Sequence, residues 1–515
     1  MTPTSTAHEF ICIQELYELL LTQLVPDPNS YGKAEGAALL GFARASKMTS
    51  DPALDRLWST ITTPSPLIRL FPEDLLQLSS SRQPEYSLTR PMVESDFLIF
   101  DKYAHRVRVV DFAKGFSQFG PGCELFSTLK TFRNPILPNL LEFKWHPSTS
   151  STLGASHLIS RDFNLPRNQL SLTMWGGAGS PQFFQQLDPW LPDVLSLMLN
   201  TGSVLSNLDI LRGLQSLSKL QHFRCGVTGS MGLGILVHLS RIPYLQTLHI
   251  GDVDAQTVDA LRQTAINRQE ETGELSFPAL QRLAISGPYS ALSSFMSIIS
   301  SNTLESVEIK LKDFSPIDMT LCSLVSRSSF TLQHFTFLAV DSCVSTHLRH
   351  SLFSMSVFAP LLTCTNLETF DINFDATRVE FNDADVEKMA AAWPRLVHLK
   401  IFSRYTQEHE WVDPKVHLYT LWNFVERCHD LHALKMRVDA RVDGPFTPPD
   451  GTTRPGLFSL NRICFFLSPC MGPTHVAEFL NRAFPRLAEF YAGVLRAEEP
   501  GSRVWSEVRK ALPGR

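Results

Sequence analysis

A leucine followed three and five residues later by further large apolar residues recurs along this chain, and the recurrence restricts the fold more than any other feature. Leu140, Phe143 and Trp145 form one copy; Leu220, Phe223 and Cys225 form the next. Then come Leu245, Leu248, Ile250; Leu280, Leu283, Ile285; Leu304, Val307, Ile309; and Leu332, Phe335, Phe337. Leu367, Phe370, Ile372; Leu396, Leu399, Ile401; and Leu431, Leu434, Met436 continue the series, and Leu487 with Phe490 is a degenerate last copy. From Leu220 the intervals are 25, 35, 24, 28, 35, 29 and 35 residues, then 56. The last two positions of each copy point to one side of an extended chain, because side chains alternate with period two. Periods in the twenties and thirties with this wording are the signature of leucine-rich repeats.

Residues 360–401 show one tile in full. After the Leu367 copy, Asp383 or Asp385 is expected to cap a helix carrying Val386, Met389, Ala390 and Trp393 on one face, and Pro394 ends it. So small a unit cannot bury its own apolar face and needs copies of itself as neighbours. The expected fold is an α/β repeat: a leucine-rich-repeat solenoid with parallel strands on the concave face and helices on the convex face. Three loops are expected, at residues 147–160, 268–274 and 439–455, and two helices around a last half-repeat cap the array after residue 475.

The 515 residues exceed what one compact core holds, as a repeat array requires. A net charge of −5 argues against attraction to nucleic acid or acidic membranes. No uninterrupted apolar run of membrane-spanning length occurs, and Glu9, Glu15 and Glu18 interrupt the first apolar residues, so neither a span nor a signal peptide is expected. Nine scattered cysteines without a C-x-x-C pair read as reduced, mostly buried thiols of a cytoplasmic or nuclear protein.

The first 78 residues read as a small helical module. Ile13, Leu16, Leu20 and Leu24 share a helix face with Leu19 beside it, and Pro26 and Pro28 break that helix. A second helix covers 34–45 with Leu39, Phe42 and Ala43 on one face; Asp51-Pro52 and Ser65-Pro66 open two more. Residues 79–94 read as a linker. Residues 95–515 form the repeat domain, beginning with a helix bearing Phe97, Phe100 and Ala104 and a first strand through Val107, Val109 and Phe112.

The phrases ELYELLLTQL, ALLGFARASKMTSDPALDRLWSTI and SPLIRLFPEDL, then YAHRVRVVDF and AAAWPRLVHLKI, and the tail around Trp505 and Val508, resemble the fungal, basidiomycete-type F-box proteins with C-terminal leucine-rich repeats. Where that family carries Leu-Pro, this chain reads Ile13-Gln14-Glu15-Leu16. The resemblance implies a substrate receptor of an SCF-type ubiquitin ligase. Ile13, Glu15, Leu16, Leu19, Leu20 and Leu24 would dock on the adaptor subunit, and through it a cullin, while the repeats hold a target protein. The alternative is a leucine-rich-repeat scaffold without ligase association.

No catalytic constellation stands out, and neither enzyme activity nor a cofactor is expected. Gly176, Gly177 and Gly179 are followed by Ser180-Pro181 rather than a phosphate-binding helix start. Cys343, His347 and His350 lack the further ligand a structural zinc needs. Function is expected on strand positions that point away from the core: Arg224, His249, Arg282, Glu308, Lys310, His334, Thr369, Asp371, Asn373, His398, Lys400, Lys435 and Arg437. The later ones are largely basic, which favours an acidic or phosphorylated segment of a target; a solvated polar face is the plainer reading.

Overall fold

The computed structural model describes residues 33–45, 47–62, 65–78, 86–111, 129–145 (without 130, 134 and 135), 171–175, 194–200, 207–273 (without 216), 276–313, 318–339, 352–374, 378–403, 413–447, 456–466 (without 458), 468–493 and 500–512. The chain divides into two compact units, Met1–Thr228 and Gly229–Arg515. Both are built from parallel strands, with α- or 3-10 helices between most successive strands, and the chain has the α/β leucine-rich-repeat fold.

In the first unit the helices Lys33–Ala45 and Lys47–Trp58 pack through buried Leu39 and Ala53, with Phe42, Ala43 and Leu57 against them. The second helix starts four residues before the expected Asp51 cap, so Pro52 lies inside it. Pro52 is the sixth residue of that helix, past the first four whose N–H groups lack an intrahelical partner, so it forfeits one backbone bond; the Thr49 hydroxyl donates to the Phe42 carbonyl at 2.7 Å, closing the turn between the helices. Arg106, buried, donates to Asp51 Oδ1 at 2.7 Å and also to Asp55, tying the helix to the start of the sheet.

That sheet begins earlier than the sequence suggested. Thr60–Ile61 is its first strand and pairs parallel with Val109–Asp111, so the module assigned to residues 1–78 already contributes to it. In the Val109–Asp111 strand Val110 is buried and Val109 half-buried, one residue out of step with the expected phase. Glu142–Trp145, Ser171–Trp175, Ser196–Asn200 and His222–Ser230 follow in parallel register. The linker assignment also fails in part. Leu76–Leu78 pairs antiparallel with Tyr86–Leu88, and Arg90 bonds both Asp74 and Asp96. The helix Phe97–Ala104 buries Phe97, Phe100 and Ala104 as expected.

In the second unit the strands Thr247–Asp252, Arg282–Gly287, Ser306–Leu311, His334–Ala339, Thr369–Phe374, His398–Ser403, Ala433–Lys435, Arg462–Phe466 and Glu489–Gly493 form one parallel sheet in chain order. Their starts are locked by one repeated backbone bond. Gln281 N donates to Gln246 O, Glu305 N to Gln281 O, Gln333 N to Glu305 O, and so on through Glu368, Val397, His432, Asn461 and Ala488. Inward positions alternate with outward ones, and every recurring apolar residue from Leu220 to Phe490 is buried. Phe335, Phe370 and Trp393 stack at centroid distances of 5.9 and 4.6 Å, so aromatic rings fill successive tiles.

The helix after the Leu367 copy is Asp383–Ala392. Its cap is Asn382 rather than Asp383 or Asp385: the Asn382 side chain accepts from Asp385 N, and the Asp385 carboxylate accepts from Asn382 N, both at 3.1 Å. The expected loop at 268–274 is largely helix, since Ala255–Thr272 runs on to Gly273, whose φ of 70° supplies the left-handed stop. The 56-residue interval holds a further copy, Leu460, Ile463 and Phe465, all buried. The helices Pro473–Ala483 and Pro500–Ala511 flank the last strand, and Trp505 packs on Phe465 and Phe490 at 5.9 and 5.7 Å.

Candidate functional site

Three rows of outward side chains cross the sheet of the second unit, each fixed by strand register. The first runs Thr247, Arg282, Ser306, His334, Thr369, His398, Ala433, Arg462, Glu489. The second runs His249, Ala284, Glu308, Thr336, Asp371, Lys400, Lys435, Cys464, Tyr491. The third includes Ser286, Lys310, Leu338, Asn373 and Phe402. Neighbouring strands lie about 4.8 Å apart, so residues adjacent in a row are in contact range.

Most residues expected at the site are therefore brought onto one face, but several are occupied by one another. Lys400 Nζ lies 2.7 Å from Asp371 Oδ2, across one strand step. Lys310 pairs with Glu308 on its own strand at 3.0 Å. Lys435 Nζ sits 3.7 Å above the Phe402 ring, a cation–π contact, and Phe402 meets Phe466 edge-on at 5.2 Å. Cross-strand carboxylate and aromatic neighbours, which a single strand's sequence does not reveal, engage Lys400 and Lys435. Arg437 lies half-buried just beyond the Ala433–Lys435 strand. Asn373 and His249 are half-buried on the face. Arg224 is exposed on His222–Ser230 in the first unit, opposite Met198.

The first row has a different character. His334 Nδ1 lies 3.1 Å from Thr369 Oγ1. Partial burial holds the His398 imidazole below its ordinary pKa, and the charges of His432, His334 and Arg462 add to the effect. Arg462 makes two bonds to Glu489, at 2.7 and 3.0 Å, and this pairing holds the Glu489 carboxyl below the usual range. Arg462, Glu489, His432, Phe402, Phe466 and Tyr491 were not anticipated at the site. The wording Leu460-x-x-Ile463-x-Phe465 would have placed Arg462 and Phe466 there.

The large aromatics have structural partners. Trp393 is fully buried, and Trp422 and Trp505 nearly so. Cys464 is half-buried on the outward face, and burial pushes its thiol up; Cys470 is in the core. Among the described residues no three His, Cys, Asp or Glu side chains gather as a metal ion would require, and no helix is long and apolar enough to cross a membrane. Ile13, Glu15, Leu16, Leu19, Leu20 and Leu24 lie outside the described residues, as do Gly176, Gly177, Gly179, Cys343, His347, His350 and the segment 147–160.

No family model and no curated protein matches the chain. Among solved structures it is similar to an internalin of Listeria monocytogenes, at 10% identity over 73% of this chain and 95% of that one, with a TM-score of 0.37. It is also similar to the yeast Rad7 and Elc1 complex, at 12% identity over 73% and 85%, TM-score 0.37. A third is the leucine-rich ectodomain of the Arabidopsis receptor kinase HAESA with a peptide hormone, at 11% identity over 76% and 71%, TM-score 0.30. The repeat architecture stands on the strand register and the buried ladder described above.

Proposed function

We propose that the chain is a substrate-receptor subunit of an SCF-type ubiquitin ligase. The N-terminal helical face, Ile13, Glu15, Leu16, Leu19, Leu20 and Leu24, docks on the adaptor and through it on a cullin, and the outward sheet face holds a target protein. The chain does no bond chemistry. It raises the effective concentration of a target lysine beside the ubiquitin carrier. The observation that carries the target-binding half is the outward face of the second unit, where polar, charged and aromatic side chains stand in register across nine strands. The ligase half rests on the N-terminal wording from residue 15 to residue 75.

A specific observation favours a second reading, a repeat scaffold that does not engage the adaptor: Ile13-Gln14 stands where the F-box family carries Leu-Pro. Capture of the adaptor subunit by the wild-type chain, compared with a Leu16→Asp, Leu20→Asp double variant, separates the two. Capture by wild type and loss in the variant is expected. Failure of the wild type to capture the adaptor sinks the ligase reading and leaves the scaffold.

A further inference from the structure

We propose that the edge of the second unit's open face where His334, His398, His432 and Arg462 gather receives an acidic stretch of a partner protein and takes up protons as it does so. The proposal rests on the reading above only in taking this face as a protein-binding surface.

The geometry is fixed by register. His334, Thr369, His398, Ala433 and Arg462 are consecutive in the first row, so His334 and His398 stand two strands apart, about 10 Å. The small residues Thr369 and Ala433 between them leave the row uncovered. His432 precedes Ala433 and is exposed, as is His398. Of the carboxylates around the row, Glu489 pairs with Arg462, Glu368 with Arg395 at 3.5 Å, and Asp371, one step inward, with Lys400 through one oxygen, while Glu305 precedes Ser306 beside His334. Among the described residues no ion pair joins a carboxylate to His334, His398 or His432.

Partial burial, with the neighbouring charges of His432, His334 and Arg462, holds the His398 imidazole below its ordinary range. The charge of Arg462 is already matched by Glu489, so the row's capacity for positive charge rests with its imidazoles. A run of carboxylates laid across it reverses the balance, because an opposite charge favours the imidazolium. Binding and protonation are then linked: the acidic segment raises the imidazole pKa values, and lowering the pH through the histidine range strengthens binding. Carboxylates of an extended peptide stay ionised to about pH 5, so the ligand keeps its charge across that window.

The test is fluorescence anisotropy of a labelled peptide of alternating Glu and Ser with the full chain, across pH. Affinity is expected to rise about tenfold between about pH 7.5 and about pH 5.5. A His334→Gln, His398→Gln, His432→Gln variant is expected to lose that slope, and His475→Gln, on the helix Pro473–Ala483, to keep it. His398→Gln alone, with unchanged circular dichroism, is expected to reduce the slope and guards against misfolding of the triple variant. Absence of binding, a pH-independent affinity, a slope that survives in the triple variant, or tighter binding of oligothymidylate than of the peptide each overturns the proposal. Adaptor capture is scored separately, so the ligase reading and this one fail independently.

Discussion

The indole Nε1 of Trp393 donates to the carbonyl oxygen of Leu361 at 3.0 Å, across 32 residues of chain. Trp393 thereby fills the core and satisfies a backbone acceptor in the 3-10 helix Ala359–Thr363, with its ring 4.6 Å from Phe370. Trp393→Phe keeps most of the volume and orphans the acceptor, at a cost of about 1–3 kcal/mol. Trp393→Ala adds a cavity and costs about 3–5 kcal/mol. Urea unfolding of both variants checks the order.

Ile463 is buried in the repeat that occupies the long interval between Leu431 and Leu487. Ile463→Ala is expected to cost about 2–5 kcal/mol. The loss should be seen in the fluorescence of Trp505, which packs against Phe465 of the same strand. A variant as stable as wild type would deny the interval its repeat.

Asn382 and Asp385 cap the helix Asp383–Ala392 reciprocally. Asn382→Ala is expected to lower stability by about 0.5–2 kcal/mol and Asn382→Gly by a few tenths of that scale. Thermal melts of the pair distinguish loss of the cap from loss of packing.

Asp383 links this helix to the next repeat. Its partial burial would raise the carboxyl, but bonds from Thr420 Oγ1 and from His417, each at 2.6 Å, outweigh burial and hold it below the usual carboxylate range. A depressed folded value stabilises fully above the unfolded value of about 3.9 and is lost as the pH falls through the lower folded value. Asp383→Asn is therefore expected to be less stable than wild type at neutral pH, with the gap closing below about pH 4. Equal acid sensitivity of the two proteins would contradict this.

Gly472 precedes the helix Pro473–Ala483 with φ of 66°, and a Cβ there would lie 2.5 Å from the Val442 carbonyl oxygen. Gly472→Ala meets both strain and a backbone clash and is expected to cost about 1–3 kcal/mol. Calorimetric melting measures it.

The strand positions were legible because a buried face written every second residue is a strong signal, and Leu367, Phe370 and Ile372 carry it plainly. The copy at Leu460 was obscured by the Pro- and Gly-rich residues before it, and Val194, Leu197 and Leu199, also buried, were missed because Val replaces the leading leucine. Thr60–Ile61 is too short to show a period. On the outward face the identity of each residue followed from the alternation, but its state did not. Lys400 reads as a free cation until Asp371, 29 residues earlier in sequence, is placed beside it. His334 and His398 could be placed outward from their own strands, but their juxtaposition with Arg462 depends on the register of five strands.

The repeated bond from Gln246 to Ala488 holds strand starts level although recurring leucines are separated by anything from 24 to 35 residues. Among the described residues extra length falls between strands, as in the long helix Ala255–Thr272. Insertions and deletions there change the mass of a repeat while the strand starts stay level, although the register between Thr247–Asp252 and Arg282–Gly287 shifts after Ala284. The helical layer and the displayed surface are therefore free to diverge independently. Relatives of this chain could differ widely in length and still present the same rows, or match in length and present different ones.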